Sequence, residues 1–372
     1  MSNKKRLYAL YLLYLGLIII LGILKEQKIN KSNELHGCTT FTLLAGSKLI
    51  FGRNLDVDTD VGNVFVNPRG VKKVAYFDST SSEIPAKWTS KYGSVTFNQI
   101  SKDIPHGGMN ELGLVVEHLF LEESKYEPKD KRPALISHQW VQYILDNCKT
   151  VSEVIESNTE IRISQSDFKF TIHFHVMDST GDRAIIEFLD GKFNVYRKDT
   201  YIIGALANST YENSLNSSEK FVDVGGNIAL PTDVSNSIER FVKAADMVAN
   251  YPGEDIEPLI PYSFSILDSV RNNTQWQIVY DIKNLQIYYR TESLKSIRIL
   301  RLKDFDYTNT KRIKTISIND DPVGNTNWLI YTTDINRNII NEICNKSEFI
   351  NSVLGDEKEE IAVHPEKVTI RE

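Results

Sequence analysis

Two stretches constrain this chain more than any others: Cys38-Thr39-Thr40-Phe41 and Phe51-Gly52-Arg53-Asn54-Leu55-Asp56. Between them run Thr42-Leu43-Leu44-Ala45-Gly46-Ser47-Lys48-Leu49-Ile50, apolar and β-branched residues interrupted once by Gly-Ser. That pattern predicts two short strands joined by a tight turn. Such a hairpin folds Arg53 and Asp56 back beside Cys38. A thiol, a guanidinium and a carboxylate then share one small volume. Chemically these are a nucleophile, a cation that lowers its pKa and an anion that orients an amine.

The chain has 372 residues, 41% hydrophobic and 25% charged, enough for one large or two ordinary domains with a substantial core. Its net charge of −6 comes without a basic stripe, which argues against a nucleic-acid partner. Lys4-Lys5-Arg6 precedes an uncharged apolar run, Leu7 to Leu24. Residues 1–24 therefore read as a signal peptide or an uncleaved signal anchor that contacts the membrane. Either would export the remainder to the periplasm or the exterior. Residues 25–37 are polar and read as a spacer or pro-segment, leaving 38–372 as the folded domain. Leu35-His36-Gly37-Cys38 is similar to a lipoprotein processing site, but the polar spacer separates it from the apolar run. No alanine lies between Lys25 and Gly37 to make a signal-peptidase site. Self-cleavage at the Gly37–Cys38 bond fits this pattern.

Cys38-Thr39 followed by Gly52-Arg53-Asn54-Leu55-Asp56 resembles the choloylglycine hydrolase family, which includes penicillin V acylases and bile salt hydrolases. The likeness continues through Val66-Asn67-Pro68-Arg69-Gly70, residues 92–99 and Gly107-Gly108-Met109-Asn110-Glu111-Leu112-Gly113-Leu114, then past Trp276. The resemblance implies an α+β fold, the N-terminal-nucleophile αββα sandwich of two mainly antiparallel sheets flanked by helices. It also implies that a pro-segment is removed and that Cys38 becomes the first residue. A free α-amine has a pKa of about 7.7–8.0 and a thiol about 8.5, so the amine can take the thiol proton near neutrality. By the same resemblance Arg53 would stabilise the thiolate and Asp56 would hold the amine. Asn208, in Ala207-Asn208-Ser209, would donate to the oxyanion, and Arg240, in Glu239-Arg240-Phe241, would be a second active-site arginine. Phe120 falls where relatives carry asparagine or tyrosine beside the reacting carbonyl, which makes it a candidate substrate contact.

Elsewhere the patterns are local. Residues 107–113 read as a glycine-rich turn whose glycines supply positive φ or close backbone approach. Ser137 to Cys148 has helical spacing, and Thr150 can cap a second helix ending near Ser157. Phe168 to Met177 alternates as a strand, with His173 and His175 on one face but no third ligand in view, so no metal is inferred there. Asp190-Gly191 signals a hairpin turn. Trp88 and Tyr126 read as loop aromatics near the acyl group. A late helix spans Asp334 to Val353, and the charged tail from Gly355 reads as partly mobile. Cys148 and Cys344 remain as a candidate disulfide pair.

The sequence therefore predicts an exported cysteine amidase acting on a small-molecule N-acyl amide through a thioester, with neither metal nor organic cofactor implied. Two alternatives remain: an acyl-homoserine-lactone or N-acyl-lipid amidase of the same fold, and a non-catalytic lipoprotein lipidated at Cys38. Self-association is left open.

Overall fold

The structure is a computed structural model that describes residues 37–165, 170–221, 228–230, 232–322 and 327–368. The apolar segment 7–24 and the spacer up to residue 36 lie outside the described residues, as does the start of the strand expected from Phe168. Residues from Gly37 onward form one compact unit. Among the described residues no helix is long and apolar enough to cross a membrane.

Cys38–Ala45 and Lys48–Asp56 form the expected hairpin, with Cys38 opposite Leu55 and Ala45 opposite Lys48. Gly46 makes the turn at φ +59°, a conformation glycine adopts without steric penalty. The hairpin lies within a six-stranded antiparallel sheet. Ala205–Leu206 flanks its first strand, and Thr274–Asp281, Gln286–Thr291 and Arg298–Arg301 follow its second.

A nine-stranded sheet packs against it, in the order Lys192–Arg197, Arg183–Leu189, Ile172–Met177, Val115–Phe120, Gly107–Asn110, Ser94–Asn98, Asn63–Asn67, Lys314–Ser317, Leu329–Ile330. Leucine, valine and aromatic side chains of both sheets share one core that includes Phe51, Val115, Leu119 and Tyr280. Helices Ser237–Ala249 and Leu259–Ser269 cover the outer face of the smaller sheet, and Ser137–Asn147 covers that of the larger. This is the αββα sandwich, in which the central strands of the two middle layers bury both of their faces.

Local signals translate directly. Thr150 caps Val151–Ser157 by accepting from the Glu153 N–H, and Asp190 (φ 53°) and Gly191 (φ 72°) make the tight turn between two strands. Four expectations need correction. Gly107–Asn110 is itself a strand, and of the glycines in the 107–113 stretch only Gly113 takes positive φ, at +83°. The late helix breaks at Ser347 into Thr333–Lys346 and Glu348–Leu354, because Ser347 caps the second piece. Much of the charged tail is helix, Lys358–Val368, with Ile361 and Ala362 packed into a cluster with Ile100 and Ile104, and residues 369–372 lie outside the described residues. All three cysteines are free. Cys148 packs beneath Ser137–Asn147 while Cys344 borders the C-terminal cluster, so no disulfide joins them.

Gly52 sits opposite Phe41, whose ring occupies the space a side chain would need: a Cβ there would lie 2.1 Å from it. Gly52→Ala should lower stability by about 1–3 kcal/mol, the usual cost of overpacking. Urea unfolding reads this as a lower midpoint, and an unchanged midpoint would contradict the packing described.

Candidate active site

Register divides the hairpin's polar residues between its two faces. Cys38 pairs with Leu55 and Thr40 with Arg53, so Arg53 is a diagonal neighbour of Cys38 on the face toward the larger sheet. Its Nη2 lies 3.5 Å from the Cys38 Sγ. Its Nη1 donates to the Glu117 carboxylate at 2.5 Å and to the His118 carbonyl at 2.9 Å. Tyr280 donates its hydroxyl to the other Glu117 oxygen at 2.5 Å. All of these groups are buried. Gly107, opposite Glu117, supplies the room for that carboxylate: a Cβ there would stand 2.1 Å from it.

Asp56 falls on the other face, toward the helices. Its backbone N–H donates to the Gly37 carbonyl at 3.0 Å, and Thr274 donates to its Oδ1 at 2.5 Å. Its Oδ2 is buried without a hydrogen-bond partner. The Cys38 N–H donates to Asn208 Oδ1 at 2.6 Å, and Arg240 Nη2 donates to the same oxygen at 2.6 Å. Asn208 Nδ2 in turn donates to the Phe120 carbonyl at 2.8 Å. Phe120 presents its backbone this way because the Leu121 N–H bonds Thr171, and consecutive residues of an antiparallel strand face opposite edges. Asn208 is fixed from behind by its own N–H, which donates to Ser237 Oγ at 2.8 Å.

The structure thus brings Cys38, Arg53, Asp56 and Arg240, all buried, and the partly buried Asn208 into one cluster, with Phe120 joining through its carbonyl. Arg240 is 3% exposed and Asn208 does not cap the following helix, where Thr210 serves instead. Trp88 and Tyr126 do not join: both are buried beneath Ser137–Asn147, where Trp88 donates to Asp146 at 2.8 Å. His173 and His175 bond Glu187, Ala207, Thr40 and Tyr201, so those rings are engaged by the protein itself. Sequence reasoning missed Glu117, Tyr280, Thr274 and Ser237. Only Glu117 left a signal, as the single charge among apolar residues in Leu114–Leu121.

Electrostatics are set by burial. Desolvation raises the Cys38 thiol, and the Arg53 and Arg240 charges oppose that rise. Asp56 is pushed up to about 7 by burial, against Arg240, the Thr274 hydrogen bond and Arg53. Glu117 is likewise pushed up to about 7. The arrangement offers a cation beside a thiol on one side of Cys38, and an amide oxygen and a carboxylate on the side of its nitrogen.

Comparison with known proteins bears on this cluster. The family model for linear amide C–N hydrolases of the choloylglycine hydrolase family matches residues 38–316. Penicillin V acylase of Pectobacterium atrosepticum is 28% identical over 300 residues, 69% of this chain and 78% of that protein. A bile salt hydrolase/transferase of Clostridium perfringens is 29% identical over 185 residues, 46% of this chain and 53% of that protein. Among solved structures, penicillin V acylase from Agrobacterium tumefaciens superposes with a TM-score of 0.66 at 26% identity, covering 79% of this chain and 98% of that one. A variant of conjugated bile acid hydrolase from Clostridium perfringens shares the fold, with a TM-score of 0.63 at 21% identity over 78% of this chain and all of that one.

The raised Asp56 pKa has a stability consequence. Between the ordinary value of 3.8 and about 7, the folded state holds a proton that the unfolded state has released. Asp56 therefore contributes stability that is fully present below pH 3.8 and lost as pH rises through 7, at about 1.4 kcal/mol per unit crossed. Relative to Asp56→Asn, the wild type should lose stability from pH 4 to pH 7 when unfolding is followed in urea. Parallel pH profiles for the two proteins would contradict the raised pKa.

Proposed function

This chain belongs to the choloylglycine hydrolase family of linear amide C–N hydrolases, and we propose that it cleaves an N-acyl amide with Cys38 as an N-terminal nucleophile. One observation carries the reading: the thiol and the nitrogen of the same residue are held by different partners, Arg53 and Asn208. Removal of residues up to Gly37 turns that nitrogen into an amine. The unpartnered Asp56 Oδ2 is well placed to receive it, because Gly37 packs against this same oxygen.

The amine takes the thiol proton and the thiolate, stabilised by Arg53, attacks the amide carbonyl. Asn208 and the Phe120 backbone N–H hold the developing oxyanion. The ammonium then protonates the leaving nitrogen, the C–N bond breaks and a thioester remains. Water, deprotonated by the same amine, releases the acid and restores the thiol. Arg240, bonded to Asn208 Oδ1, keeps the asparagine's oxygen turned away and its N–H₂ turned toward Phe120. The burial of Cys38 at the start of a central strand favours this reading over a lipid-carrying tether.

The penicillin V acylase and bile salt hydrolase relatives suggest aromatic or steroidal acyl groups, and the partly buried Phe120 supports an apolar one. A screen of phenoxyacetyl, bile-acid and long-chain acyl amides should give cleavage with at least one class. Cys38→Ala should abolish it, Cys38→Ser should retain little, and Asn208→Ala should lose on the order of 10²–10³ in kcat. Retention of a tenth of wild-type activity in Cys38→Ala would refute the assignment, and a best substrate with a short polar acyl group would refute the apolar preference.

Processing generates a separate prediction. A Cβ on Gly37 would lie 2.8 Å from Arg240, 2.9 Å from Asn272 and 2.9 Å from Asp56. In protein expressed from Lys25, wild type should lose residues 25–37 by self-cleavage, while Gly37→Val and Cys38→Ala keep them. Intact mass spectrometry decides this, and equal trimming of all three would assign the cut to a separate protease.

A further inference from the structure

Beneath the larger sheet, on the side away from the nucleophile, three histidines meet. His106 immediately precedes the strand Gly107–Asn110, His118 lies on its neighbour Val115–Phe120, and His138 lies in the first turn of the helix Ser137–Asn147 packed over both. The two strand histidines are tied through their backbones, His118 N–H donating to the His106 carbonyl at 3.3 Å. Strand alternation sends Glu117 toward Arg53 and sends His118 the other way, with Leu114 and Val116, into the helix-covered core. One ring nitrogen from each histidine lies within 4.8 Å of the other two. Ring centroids of His118 and His138 are 4.4 Å apart, and those of His106 and His118 are 5.0 Å apart.

We propose that His106, His118 and His138 form a three-histidine site for a borderline divalent transition metal, zinc foremost, which fastens the helix Ser137–Asn147 to the sheet. Zinc–nitrogen bonds of about 2.0–2.1 Å place tetrahedral ligand atoms about 3.3–3.4 Å apart, so the trio needs only a modest contraction around an ion. His118 Nε2 is buried with no hydrogen-bond partner, an unfavourable state that a bound cation relieves.

Second contacts suit the role. Ser137 Oγ lies 3.4 Å from His138 Nδ1, in the manner of the outer partner that orients a metal-bound imidazole. Trp276 against His106 and Phe170 against His138 supply an apolar wall. An all-imidazole set selects zinc, cobalt, nickel or copper over calcium and magnesium, and leaves a fourth position for water or an anion. The ion sits across the sheet from Cys38 and takes no part in the amide reaction.

The test uses tag-free protein, stripped with chelator and dialysed against zinc chloride or, separately, cobalt chloride. Elemental analysis should find one zinc per chain, cobalt should give the visible absorption of a tetrahedral ion, and either metal should raise the melting temperature by several degrees. His118→Gln should lose all three responses. His106→Gln, at a half-buried position just before the strand Gly107–Asn110, should lose them too and so guards against a misfolded His118 variant. Less than a tenth of a metal per chain in the wild type, or full metal retention in both variants, would overturn the site.

Discussion

Arg53 carries a full charge into the buried interior, and much of the active cluster exists to make that tolerable. An unpaired buried ion costs several kcal/mol, so Arg53 requires the Glu117 carboxylate and the His118 carbonyl at its Nη1. Glu117 is in turn bonded by Tyr280, and Gly107 leaves the space in which its carboxylate lies. Arg53 and Tyr280 belong to the smaller sheet and Glu117 to the larger, so the ion pair also fixes the two sheets at one point. The guanidinium's Nη2 is directed at the Cys38 thiol. The two effects on that thiol oppose each other, burial raising its pKa and the arginine charge lowering it, which leaves deprotonation to a local base.

On the proposed reading that base is the amine of Cys38 itself, on the helix side of the hairpin. The sheet separates the thiol's surroundings from those of the backbone nitrogen: Arg53 and Glu117 face one way, Asp56 and Arg240 the other. Cys38 stands at the strand's first position, where a residue can reach both sides. This explains why an N-terminal cysteine, and not one in mid-strand, suits the chemistry. It also explains why Gly37 is enclosed so closely, since its carbonyl bonds the Asp56 N–H and its Cα abuts the Asp56 carboxylate.

Features encoded over a few residues were legible in the sequence. The hairpin from Cys38 to Asp56, the Asp190-Gly191 turn and the Thr150 cap rest on local torsional preference and short-range hydrogen bonds. The candidate residues Arg53, Asp56, Asn208 and Arg240 were legible through family likeness, and the geometry brings them together. Partners distant in sequence were not legible. Nothing near Glu117 announces that Arg53 and Tyr280 will meet it, and Trp88 reads as a loop aromatic until Asp146 and Tyr143 close over it. The tail misled for a related reason: its charges suggest solvent, while a few residues, Ile361 and Ala362 among them, provide the face that docks.

The central claim is that Cys38 carries the acyl group. Mixing the processed enzyme with a cleavable N-acyl amide, quenching in acid during turnover and mapping peptides by mass spectrometry tests it most directly. The account predicts an adduct equal to the acyl group, confined to the peptide that begins at Cys38 and released by hydroxylamine as a thioester would be. An adduct on any other residue, or a nucleophile that proves to be an internal Cys38 still joined to Gly37, would contradict it.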